Sequence, residues 1–194
     1  RYNVAPTQPV AVIPNQTPRA VQMFQWGLIP SWAKDPAIGQ KMINARAETV
    51  AEKPAFRSAF KKRRCLVIAD GFYEWQRLGE RKQPIWIGRK DKRPFAFAGL
   101  YDQWQGPDGS IVPSCTIITT AANALMAPLH DRMPAILDVA DYAHWLDPNH
   151  PDAYHVLGQL YRELPGAPVS FGNTDAAVSL GRMAVDLRAK AVQA

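Results

Sequence analysis

The chain has 194 residues, 47% of them hydrophobic and 21% charged, which excludes wholesale disorder and suits one domain with its own core. Lysine and arginine number 23 against 17 acids, a net charge of +6, and this points to an anionic partner such as nucleic acid. Seventeen prolines, 12 glycines and six tryptophans argue against a helical bundle and for short strands joined by many turns.

Residues 10–13, Val-Ala-Val-Ile between Pro9 and Pro14, read as extended chain, and residues 20–29 form a second apolar run that ends at Pro30. A proline-rich loop over residues 30–36 carries Trp32. Residues 48–60 have helical spacing, with Phe56 and Phe60 four apart, and Pro54 splits them into two short helices. The basic run Lys61-Lys62-Arg63-Arg64 closes that segment. Residues 65–69 have the pattern of a buried strand, punctuated by Asp70-Gly71. Residues 72–77 resume as strand, with Phe72, Glu74 and Gln76 on one face and Tyr73, Trp75 and Arg77 on the other. Residues 78–80 turn the chain, 84–88 and 95–104 read as strands, 106–110 as a hairpin loop and 114–120 as another strand. Residues 141–146 and 152–164 read as helical, 169–171 as strand and 175–192 as an alanine-rich terminal helix.

No internal repeat and no long linker divides the chain, so residues 1–194 are expected to form one domain. Strands mixed with separate helices predict an α+β fold: a mixed, mainly antiparallel, twisted sheet with a barrel-like core and short peripheral helices. No apolar run approaches the ~20 residues of a membrane span. Two cysteines, Cys65 and Cys115, are too few for a disulfide framework or a four-cysteine zinc site, and the expected setting is a reducing cytosol. The chain opens on Arg1 without a start signal, which we read as a chain whose N-terminus is missing.

Several residues could carry chemistry. Glu74 sits among aromatics in Phe72-Tyr73-Glu74-Trp75. A carboxylate walled by aromatics loses solvation, which raises its pKa toward the range useful for proton transfer; the alternative is a solvated strand glutamate. His130 lies in the polar cluster His130-Asp131-Arg132, where a loop histidine could move protons or merely satisfy local backbone. Asn44 and Arg46 offer a hydrogen-bonding amide and a phosphate-matching fork, or else a helix N-cap followed by a solvated arginine. His144, His150 and His155 lack the spacing of a zinc motif, so no metal site is expected. Cys65 and Cys115 begin apolar strands and read as small hydrophobes rather than nucleophiles. Basic clusters interleaved with Trp32, Trp75, Trp86 and Trp104 suit single-stranded nucleic acid, or are ordinary surface charge around core tryptophans.

Five segments in order, Arg1-Tyr2-Asn3-Val4-Ala5-Pro6, Trp26-Gly27-Leu28-Ile29-Pro30-Ser31-Trp32, Ile43-Asn44-Ala45-Arg46-Ala47-Glu48-Thr49, Ala69-Asp70-Gly71-Phe72-Tyr73-Glu74-Trp75 and His130-Asp131-Arg132-Met133-Pro134, together resemble the SOS-response-associated peptidase family. The match is weaker over the last 50 residues. The resemblance implies capture of abasic sites in single-stranded DNA as a thiazolidine crosslink at an N-terminal cysteine, with possible lyase and autoproteolytic activity. It implies that Glu74 shuttles protons, that His130 assists protonation of the imine and that Asn44 hydrogen-bonds the linked sugar. It implies phosphate contacts from Arg46 and Arg132, and a DNA path lined by Asn3, Pro6, Trp32, Trp75 and Thr119. It implies no cofactor and no metal, a monomer with single-stranded DNA containing abasic sites as its partner, no membrane, and a place in the cytoplasm on the nucleoid. The family's nucleophilic cysteine is not in this sequence, and neither Cys65 nor Cys115 could replace it. A non-catalytic single-stranded DNA-binding module, a cysteine peptidase and a metal hydrolase on the three late histidines are the competing readings.

Overall fold

The computed structural model describes residues 3–149 and the strand 169–171. In chain order its regular elements are β1 (Pro9–Pro14), β2 (Gln22–Trp26), β3 (Asn44–Arg46), α1 (Arg57–Lys62), β4 (Arg64–Ala69), β5 (Gly71–Leu78), β6 (Arg81–Arg89), β7 (Phe95–Gln105), β8 (Ile111–Ala121), β9 (Arg132–Pro134), β10 (Ile136–Leu137), α2 (Tyr142–Leu146) and β11 (Val169–Phe171), with short 3-10 turns at Pro36–Lys41 and Val139–Asp141.

β4 explains the architecture. Cys65, Leu66 and Val67 are all buried. A strand points alternate side chains to opposite faces, so a continuous apolar run needs cover on both sides. Cys65 and Val67 join Val12, Phe24, Phe97, Tyr101 and Cys115. Leu66 joins a separate cluster with Phe60, Leu100 and Trp145. β4 pairs with β1 and β7, β1 with β2, β2 runs parallel to β8, and β8 returns to β7. These five strands close into a barrel filled by the first cluster, and the second cluster packs α1 and α2 against its outside. Closure leaves the ring with no free edge. The expected mixed, mainly antiparallel sheet with a barrel-like core and small outer helices is what forms.

Arg64 ties both helices down. Its guanidinium is buried and donates to the carbonyls of Phe60 at 3.0 Å, Trp145 at 2.6 Å and Asp147. Its carbon Cζ also lies 5.5 Å from the centre of the Trp145 ring, within cation–π range. Helix ends leave carbonyls without intrahelical partners, and here one fork collects them from two helices.

Three sequence expectations need correction. Residues 48–60 do not form two helices; residues 47–56 form successive turns and only Arg57–Lys62 is helical. Asn44 is not a helix cap either, because it opens β3, which runs parallel to β8 in the register Asn44↔Ile117 and Arg46↔Thr119. That pairing draws the following residues onto the sheet, where the Ala47 amide donates to the Thr119 carbonyl, and Pro54 has no amide to extend a helix. The run 20–29 is strand only over Gln22–Trp26, since Gly27 turns the chain at φ +129°. A Cβ on Gly27 would meet the Gly39 carbonyl oxygen at 2.6 Å, so both conformation and space demand glycine. The expected helices at 152–164 and 175–192 lie outside the described residues.

Candidate active site

The hairpin β5–β6 stands outside the barrel, and β11 pairs with its second strand. Its alternation is clean. Phe72, Glu74 and Gln76 are half-buried, whereas Tyr73, Trp75 and Arg77 are exposed, as the strand pattern predicted. The register Glu74↔Ile85 and Phe72↔Ile87 puts Glu74 on the face that carries two fully buried isoleucines. That face packs on Leu125, Met126, Leu129 and Met133, and Phe72 reaches the barrel edge-on to Phe97 at 5.7 Å. Gly71 and Gly88 face each other across the hairpin, and a Cβ on either would fall 2.4 Å from the Trp86 indole. The paired glycines make room for that ring.

Burial on this face pushes the Glu74 carboxyl above its usual range. The nearby His130 and the Trp75 amide work in the opposite direction, and Asp131 adds to the rise. Glu74 and His130, 56 positions apart in the chain, are thus brought into one electrostatic neighbourhood.

The loop that carries His130 is built on Asn123. The Asn123 side-chain oxygen accepts the amides of Leu125 at 3.1 Å and Met126 at 2.9 Å, an Asx arrangement suited to tight turns. The His130 amide then donates to the Met126 carbonyl at 3.0 Å. At the ring, Nδ1 accepts the Arg132 amide at 2.9 Å. The Arg132 carbonyl at 3.2 Å and Asp131 Oδ1 at 3.1 Å stand around the same nitrogen, so an unprotonated Nδ1 takes the amide and a protonated one takes an oxygen.

β3, β8 and β9 form an adjoining surface. Asn44 and Arg46 are exposed on either side of the buried Ala45. Thr119 pairs with Arg46, and its neighbour two residues on, Ala121, pairs with Arg132. Thr119 itself is 8% exposed, so its hydroxyl and carbonyl serve mainly as acceptors for Arg132, at 3.4 and 2.7 Å. Arg132 also makes a two-pronged ion pair with Glu48, at 2.5 and 2.9 Å.

Trp32 is 60% exposed on a loop held by buried groups. Ser114 Oγ accepts the Ile29 amide at 2.8 Å, Asp102 accepts the Ser31 amide at 3.0 Å, and the Trp104 indole donates to the Ala33 carbonyl at 2.7 Å. Trp75 is 55% exposed but on the hairpin face opposite Glu74. Trp86 is half-buried, whereas Trp104 is buried. Asn3 and Pro6 are exposed ahead of β1. The Thr7 amide, just beyond, donates to the Trp26 carbonyl at 2.7 Å, and the Trp26 indole donates to the Ile43 carbonyl at 2.9 Å. The N-terminal segment is thereby linked to the residue preceding Asn44. Sequence pattern assigns no role to Glu48 or Asp131; the only signal for Glu48 is its place two residues past Arg46.

Cys65 and Cys115 are both fully buried inside the barrel. Burial raises the Cys65 thiol well above its ordinary value and pushes Cys115 up to about 12. No group of three metal-ligating side chains gathers among the described residues, and His150 and His155 lie outside them. No helix among these residues is long and apolar enough to cross a membrane.

The fold is a closed five-stranded barrel with an added hairpin and a loop that bring Glu74 and His130 near each other outside it. The chain belongs to the SOS response associated peptidase (SRAP) family, whose model matches residues 1–179. It is 50% identical over 161 residues to the abasic site processing protein YoqW of Bacillus subtilis (strain 168), covering 82% of this chain and 72% of that one. It is 40% identical over 152 residues to the abasic site processing protein HMCES of Xenopus tropicalis, covering 66% of this chain and 45% of the relative. A crystal structure of a protein from Bacteroides thetaiotaomicron superposes with a TM-score of 0.75 at 32% identity, over 87% of this chain and 75% of that one.

Proposed function

We propose that this chain processes abasic sites in DNA, binding the single strand and presenting the opened sugar to an acid–base pair made of Glu74 and His130. The observation that carries the reading is Glu74 itself. It is a carboxyl raised by burial, on a hairpin face turned toward the His130 loop. The relatives named for abasic site processing support the substrate.

The chemistry is aldehyde capture. The amine of an N-terminal cysteine adds to the aldehyde of the ring-opened sugar. Loss of water gives an imine, and the cysteine thiol adds across the C=N bond to close a thiazolidine. Glu74, protonated more readily than an ordinary glutamate, gives the proton with which the hydroxyl leaves as water. His130 relays protons at the imine. A lyase reaction would begin from the same imine. Asn44 hydrogen-bonds the sugar. Arg46 and Arg132 face the phosphates, and Asn3, Pro6, Trp32, Trp75 and Thr119 border the strand. Both nucleophiles must belong to one residue, because that preplacement is what makes ring closure fast. Cys65 and Cys115 have no free α-amine and are sealed in the barrel, so the step needs an N-terminal cysteine ahead of Arg1.

The test uses the chain with such a cysteine placed before Arg1 at the spacing of a family relative. Mixed with a single-stranded oligonucleotide carrying one abasic site, it should give an adduct that survives a denaturing gel. No adduct, or an equal yield with serine in place of that cysteine, would overturn the mechanism.

A further inference from the structure

Arg132 joins two parts of the site. Through its guanidinium it grips Glu48, at 2.5 and 2.9 Å, and the Thr119 carbonyl at 2.7 Å. Through its backbone amide it donates to His130 Nδ1 at 2.9 Å. It is also the first residue of β9, a strand of three residues. So short a strand has few ladder bonds to fix its leading end. The two-pronged ion pair supplies the missing restraint, since a carboxylate meeting both guanidinium nitrogens sets orientation as well as distance. Glu48 reaches it from 84 positions away.

We infer that Glu48 is a positioning residue that, by anchoring Arg132, keeps the His130 ring in one orientation. The inference deepens the abasic-site reading and rests on it for the role of His130. It also gives Arg132 a duty besides the phosphate contact, because its cation already faces a carboxylate. At Nδ1 the ring meets the Arg132 amide and carbonyl and the exposed Asp131 carboxylate. If the Arg132 backbone drifts, two of these three contacts go with it.

The surroundings of the ring are read directly from the ring nitrogen resonances of 15N-histidine-labelled protein, His130 being assigned by loss of its signals in His130→Gln. The wild-type chain should show one well-defined pair of His130 ring signals. Glu48→Ala should shift and broaden them, and the isosteric Glu48→Gln should give an intermediate change. In the cysteine-bearing form, the capture rate should fall about three- to tenfold at saturating DNA, where any change in affinity through Arg132 no longer counts, following the loss of the competent ring population. Should Glu48→Ala fail to fold, Glu48→Gln carries the test alone. An unaltered His130 spectrum in a folded Glu48 variant would overturn the inference, and so would a loss of DNA affinity without loss of rate. A wild-type protein that captures no abasic DNA would defeat the functional reading yet leave the ring-orientation result to stand or fall separately.

Discussion

The Asp102 carboxylate, on β7, accepts the backbone amide of Ser31, 71 positions earlier, at 3.0 Å. The same oxygen accepts from Arg63 at 3.2 Å, and the residue is only 6% exposed. One buried charge therefore holds the loop that displays Trp32.

Asp102→Ala should strand both the Ser31 amide and the Arg63 guanidinium. Removing one partner of a buried charge-assisted bond costs about 2–3 kcal/mol, measurable as a fall in urea midpoint. If Trp32 stacks on DNA, affinity for a single strand should fall as well, because a loosened loop must be ordered on binding. Equal affinity in the folded variant would remove Trp32 from the DNA path.

Glu74→Gln should act on activity and stability in opposite directions. Capture should slow by ~10²-fold or more, the usual contribution of general acid–base catalysis, with DNA affinity nearly intact. The folded-state carboxyl lies above its ordinary value, so the native state binds that proton more tightly than the unfolded chain does. Stability from this group is present below the ordinary carboxylate range and is lost as pH rises through the raised value. The glutamine variant should thus be the more stable at neutral pH, with the gap closing in acid. Denaturant melts at both ends of that range check the sign.

Arg46→Ala should weaken binding to all single strands alike and flatten the salt dependence. One lost phosphate contact lowers the slope of log K against log salt by about 0.7 for single strands. An unchanged slope would place Arg46 off the phosphate path.

Neither cysteine should react with a thiol-alkylating reagent while the barrel is closed, since only thiolates are nucleophilic and burial raises both groups. Labelling should track unfolding in denaturant. Fast labelling of the native chain would contradict the sealed barrel.

Arg64→Lys should cost about 2–4 kcal/mol, because an ammonium keeps the charge but cannot match a planar fork bonded to three carbonyls. The loss should appear first as exposure of Trp145, seen in its fluorescence, as α2 leaves the barrel wall.

Local pattern alone determined a good deal. The continuous run at Cys65, Leu66 and Val67 required a strand covered on both faces. The alternation from Phe72 to Arg77 put Glu74 and Trp75 on opposite faces, because adjacent strand residues point opposite ways. The turn residues at Gly106-Pro107-Asp108-Gly109 marked the hairpin, with Gly109 at φ +82°. Each signal depends on neighbours in sequence, which is why it could be read there. Tertiary pairing decided the rest. Asn44 is a strand residue because β8 offers it a parallel partner, and no local preference of a three-residue segment could reveal that. Glu48, Asp102 and Arg64 gain their roles from partners 84, 71 and 81 positions away. Leu125, Met126 and Met133 pack on the hairpin face that Glu74 shares, and only the tertiary fold brings them there.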